Sequence, residues 1–93
     1  MLDQLVTLSP DALFQEIDGE AVILDLASSS YFGLDGVGVR LWQLLEADPH
    51  LQSACGQLLA EYEVSPAELG RDILTLVEQL REAGLVRIEN PQA

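Results

Sequence analysis

The 93-residue sequence contains no lysine, one histidine (His50), one cysteine (Cys55) and one tryptophan (Trp42). Each shortage excludes a class of function. A single cysteine rules out an internal disulfide. Its place in an apolar helical pattern marks it as a small core residue. Structural zinc needs several converging His, Cys or carboxylate ligands, and the sequence offers no such cluster. A Cys-His dyad fails on geometry, because five residues along an ideal helix turn His50 and Cys55 about 140° apart. Gly33, Gly36 and Gly38 do not match the dinucleotide-binding spacing and suit a tight strand-to-helix turn instead. No apolar run approaches the roughly 20 residues that cross a bilayer. The start, Met1-Leu2-Asp3-Gln4, lacks the basic and apolar regions of a secretion signal, so a cytoplasmic protein is expected. Catalytic, metal-binding and cofactor residues are therefore expected to be absent.

Positive charge is also scarce. Four arginines (Arg40, Arg71, Arg81 and Arg87) stand against 16 acidic residues, for a net charge of -12. Nucleic-acid affinity depends on Lys and Arg displacing counterions from phosphates. A surface of this sign repels that backbone and attracts basic partners, or simply keeps the protein soluble.

What is present reads as strands followed by helices in one domain spanning 1–93. Strands are expected at about 5–8, 12–17 and 20–26. Asp18-Gly19 between the second and third is a type I′ hairpin signal, since both central residues of that turn take positive φ. A two-residue loop sets Ile17 opposite Glu20, Gln15 opposite Val22 and Leu13 opposite Leu24. One face then carries Leu13, Ile17, Val22, Leu24 and Leu26, and is expected to be the core side. The other carries Phe14, Glu16, Ala21, Ile23 and Asp25. There Phe14 and Ile23 are either covered by a partner or isolated surface hydrophobes. Ala27-Ser28-Ser29-Ser30 reads as a turn, and Tyr31, Phe32 and Leu34 as residues closing the core.

Helices are expected at about 36–46, 50–62 and 66–83. Asp35 is the expected cap of the first, whose stripe is Val37, Leu41, Leu44 and Leu45 with Trp42 at its flank. Asp48-Pro49 is read as the start of the second, and Leu51, Ala54, Cys55, Leu58, Leu59 and Tyr62 as its apolar side. Ser65-Pro66-Ala67-Glu68 is a capping box that opens the third, and Gly84 its stop. Leu85 to Ile88 reads as extended, and Asn90 onward as a frayed end. The order implies an α+β domain with helices packed on one face of a three-stranded antiparallel sheet.

The stretch from Ile23 to Leu45 includes Leu24-Asp25, the serine turn, Tyr31-Phe32-Gly33-Leu34 and Trp42, in that order. Further on come Tyr62-Glu63-Val64-Ser65-Pro66, Asp72-Ile73, Leu80 and Gly84-Leu85-Val86. This ordered combination, over about residues 12 to 88, resembles the PqqD family. The likeness is strongest to stand-alone recognition elements of lasso-peptide clusters, one kind of ribosomally made, modified peptide (RiPP) pathway. It implies a winged-helix-like fold and a non-catalytic role. Family members bind the leader segment of a precursor peptide as an added strand and present it to a processing enzyme. That enzyme is a cysteine protease in lasso-peptide pathways and a radical enzyme in pyrroloquinoline quinone pathways. A docking module outside peptide maturation is the alternative, and a DNA-binding winged helix is opposed by the charge.

The implied groove lies between the third strand and the third helix. Its expected residues are Ala21, Val22, Ile23, Leu24, Asp25 and Leu26 on the strand. On the helix they are Leu69, Asp72, Ile73, Leu76 and Leu80, a stripe wide enough to serve core and ligand together. Leader affinity is expected on the order of micromolar to tens of nanomolar, because an unfolded segment must be ordered on binding. An open strand edge also admits an edge-paired dimer as well as a monomer.

Overall fold

The computed structural model describes residues 4–89, and the expected frayed end from Asn90 lies outside them. The strands are β1 (Leu5–Leu8), β2 (Ala12–Ile17), β3 (Glu20–Asp25) and β4 (Ser30–Leu34). The helices α1 (Gly36–Ala47), α2 (Leu51–Glu61) and α3 (Pro66–Glu82) follow, and β5 (Val86–Glu89) ends the described chain. The protein is α+β, with a three-stranded antiparallel sheet and three helices.

The three-stranded sheet is not made of the first three strands. Its order is β2-β3-β4, while β1 pairs antiparallel with β5 in a separate two-stranded sheet. Segment Ser30–Leu34 is therefore a strand rather than a core-closing loop. Only part of it closes the core: Leu34 is buried and Phe32 half-buried, but Tyr31 is 77% exposed.

The β2–β3 turn forms from Asp18 and Gly19, both at positive φ (54° and 81°). The pairing follows directly, with Leu13 opposite Leu24, Gln15 opposite Val22 and Ile17 opposite Glu20. The core side, however, is the opposite of the one expected. Ala21, Ile23 and Asp25 are buried, whereas Leu13, Ile17, Val22 and Leu26 are exposed. Aromatic packing accounts for this. Phe14 stacks on Trp42 of α1 with ring centroids 6.1 Å apart, and Ile23 is fully enclosed. Both contacts place large apolar area of this face against the helices. Trp42 is thus a core residue, not the flank of a stripe, and its indole N–H has no partner among the described groups.

Asp25 builds the turn into β4. Its carboxylate accepts hydrogen bonds from the Ala27 N–H (3.2 Å) and the Ser28 hydroxyl (2.8 Å), and Ser29 sits at φ 61°. This local pattern gives a buried acid its partners without any ion pair.

Helix ends follow the expected chemistry in two places and depart from it in two. The Ser65 hydroxyl accepts the Glu68 N–H at 3.1 Å. Gly84, at φ 78°, ends α3 in a Schellman motif, with Gly84 N–H bonded to the Arg81 carbonyl and Leu85 N–H to the Leu80 carbonyl. Asp35 flanks α1 without a side-chain cap, so only its carbonyl takes part, accepting from Val39. Asp48 and Pro49 do not open α2, which begins after His50. Pro49 lies outside the helix because its carbonyl is recruited by the Val6 N–H of β1 (2.8 Å). The Asp48 carboxylate instead accepts the His50 N–H at 3.0 Å, which with the ring contact holds it below the usual carboxylate range.

The core gathers Val6, Ile23, Leu41, Trp42, Leu51, Leu58, Ile73, Val77, Leu80 and Leu85. Cys55 is buried among them, and loss of solvent pushes its thiol up. Among the described residues, no helix is long and apolar enough to cross a membrane.

Candidate binding groove

The sheet has two free edges, β2 and β4. Strand β3 has none, because β2 and β4 bond to it along its whole length. The expectation that Ala21–Leu26 offers an open edge is therefore corrected: its ladder groups are already spent. The edge facing α3 belongs to β4, whose alternate N–H and C=O groups point away from β3, as in any antiparallel edge strand.

A groove of about 780 Å³ reaches from the β2–β3 turn to that edge and α3, lined by Gln15, Ile17 and Asp18, by Glu20, Ala21 and Val22, by Phe32, Gly33, Leu34 and Asp35, and by Leu76 and Gln79 of α3. A second hollow of about 370 Å³ continues it toward the start of α3. Its floor is Val37, Leu69, Ile73 and Leu76, and its rim holds Asp35, Glu68 and Asp72. Asp35 and Leu76 line both, so the two hollows form one trough along β4.

Gly38 makes this junction possible. A Cβ there would lie 3.1 Å from a Leu34 methyl and 3.4 Å from a Leu76 methyl. A side chain there would push the Leu34 methyl aside by a few tenths of an ångström, so glycine lets α1 sit close to the end of β4 beside Leu76.

The expected site residues divide accordingly. On α3, Leu76 is half-buried in the trough and Asp72 is exposed at its rim. Leu69 and Ile73 are buried, with one side forming the floor of the smaller hollow. Leu80 is 1% exposed and belongs to the core alone. On β3, Ala21 and Val22 reach the trough wall, while Ile23 points into the core and Asp25 holds its turn. Leu24 and Leu26 lie on the outer face of the sheet, away from α3.

The residues not anticipated are Gln15, Ile17, Asp18 and Glu20 around the β2–β3 turn, Phe32, Gly33 and Leu34 of β4, Asp35, Val37, Gly38, Val64, Glu68 and Gln79. Two signals pointed to some of them. Ser30 to Leu34 holds two adjacent aromatics, a β-prone composition. Glu68 lies one helical turn before Asp72. No group of three or more His, Cys, Asp or Glu among the described residues is placed to hold a metal.

These features are a free strand edge and an apolar trough beside a helix. The family model for coenzyme PQQ synthesis protein D (PqqD) matches residues 20–86, and the chain belongs to that family. Two solved structures are similar over nearly their whole length. One is TbiB1 in complex with the TbiA(beta) leader peptide: 33% identity, TM-score 0.82, 87% of this chain and 94% of that one. The other is lasso peptide synthetase B1 complexed with the leader peptide: 29% identity, TM-score 0.77, 88% of this chain and 96% of that one. No curated protein matches the sequence significantly.

Proposed function

We propose that this chain is a non-catalytic recognition protein for the leader segment of a ribosomal precursor peptide. The leader is laid as an extra strand along the free edge of β4, with alternate side chains entering the trough against α3. The observation that carries this reading is an unpaired strand edge running beside an apolar trough. Main-chain hydrogen bonds to β4 fix the register, and pockets at every second residue read the sequence. The leader-bound state of both similar structures supports the same reading.

The frame is winged-helix-like, as the family resemblance implies, and the setting is the cytoplasm. The bound leader is handed to a processing enzyme, a lasso-peptide leader protease ahead of a radical enzyme of the quinone pathway. Nucleic acid is a poor partner, since the net charge of -12 opposes phosphate. The protein acts as a monomer or as a dimer paired through β2, because peptide addition and pairing with a second copy at β4 use the same groups.

Titration of the purified protein into a fluorescent leader peptide, taken from a precursor gene beside its own, tests the proposal. Saturable binding that Leu76→Arg removes is expected. Equal binding by wild type and Leu76→Arg contradicts it.

A further inference from the structure

The smaller hollow combines two properties. Its floor is aliphatic (Val37, Leu69, Ile73 and Leu76), and every charged group on its rim is acidic (Asp35, Glu68 and Asp72). None of these three carboxylates forms a salt bridge or side-chain hydrogen bond among the described residues. The protein's own cations are placed elsewhere. Arg40 is held by Glu61, Arg81 by Glu78 and Arg87 by Glu89, and Arg71 does not line the hollow.

Helix ends do not cancel this field. Asp35 stands at the start of α1 and Glu68 in the first turn of α3. Each helix N-terminus supplies roughly half a positive charge. Against three full negative charges, the rim stays negative by about two units. Such a rim repels acidic peptide residues. It favours a side chain with an apolar stem and a cationic head, as in Arg and Lys, which bury methylenes while keeping the charge at a wet rim.

We infer that the α3-side hollow of the trough selects a basic residue of the bound peptide, its stem on Val37, Leu69, Ile73 and Leu76 and its head among Asp35, Glu68 and Asp72. The inference rests on the strand-addition reading and adds a sequence preference to it. Glu68 and Asp72, one turn apart on α3, act with Asp35 across the hollow as specificity-determining residues. Because the rim is exposed, the preference is modest per residue and is screened by salt.

A positional-scanning library of acetylated dodecapeptides, biased toward extended conformations, tests this on the whole protein. Wild type is expected to enrich Arg or Lys over Glu at one position by about fivefold, the scale of a partly exposed ion pair. The preference should fall away in the Glu68→Gln, Asp72→Asn double variant and in 0.5 M salt, while apolar preferences at neighbouring positions persist. Thermal melts check that the double variant stays folded. Peptides enriched without a basic preference, or with one that survives in the double variant, overturn the inference and leave leader binding intact. No enrichment by wild type above a Leu76→Arg control overturns both.

Discussion

The two free edges of the sheet are built from different material. Strand β2 is flanked by Asp11 and Asp18 and carries Glu16, which accepts a hydrogen bond from Gln43 of α1 (3.0 Å). Strand β4 reads Ser30-Tyr31-Phe32-Gly33-Leu34 and bears no charge. Charged residues on an edge discourage pairing with another chain, whereas an uncharged edge invites it. The helix wall of the trough lies on the β4 side, where Leu34 and Leu76 approach over Gly38, although its far end reaches Gln15 and Ile17 of β2. The difference shows that an open edge alone is not a binding site. One edge is guarded by acid, and the other is paired with a helix that supplies side-chain pockets.

The largest expected break in this comparison comes from a charge in the trough. Leu76→Arg should weaken leader binding about 100-fold, near 2.7 kcal/mol, while Leu13→Arg on β2, an exposed residue that lines neither hollow, should change it less than about twofold. Isothermal titration of both variants measures the contrast. Next in size is the backbone itself. N-methylation of the leader at alternate residues should cost about tenfold at each amide that donates to β4, and little at those between. A flat response along the peptide would point to side-chain docking without strand addition.

The turn that carries β4 is the third lever. Asp25→Ala removes the acceptor for Ala27 and Ser28. It should lower stability by about 1–2 kcal/mol in urea unfolding, with a matching loss of leader affinity if β4 loosens from β3. The smallest effect lies away from both edges. Arg40 holds Glu61 through two bonds of 2.8 Å between α1 and α2 and, with Gln57, lowers the Glu61 carboxyl from 4.5 to about 2. A depressed carboxylate stabilises the fold above its unfolded pKa and loses that contribution as pH falls. The gap in Tm between wild type and Glu61→Gln should thus be small at neutral pH and close between about 4.5 and about 2.

Much of the fold is legible in the sequence where a local rule decides it. Asp18-Gly19 dictates the hairpin register, and Ser65 and Gly84 mark the ends of α3. The sheet face is not legible by counting. Five apolar residues on one side suggest the core, yet the stacking of Phe14 on Trp42 turns the other side inward. That contact joins residues far apart in sequence, and no periodicity reveals it. The groove was half legible for a similar reason. The periodicity of α3 exposes Leu76 and Asp72, but assigning the edge to β4 requires knowing that β1 leaves to pair with β5. With β1 counted in the sheet, β3 looks like its third and last strand. Once β1 is removed, β3 becomes the centre.

The most direct measurement is residue-resolved amide hydrogen exchange with and without saturating leader peptide. The account predicts that alternate amides within 30–34 slow markedly on binding, together with slower opening of α3 around Leu76, while 12–17 are unchanged. Protection along 12–17 with none along 30–34 would contradict it, and would assign the peptide to the acid-guarded edge instead.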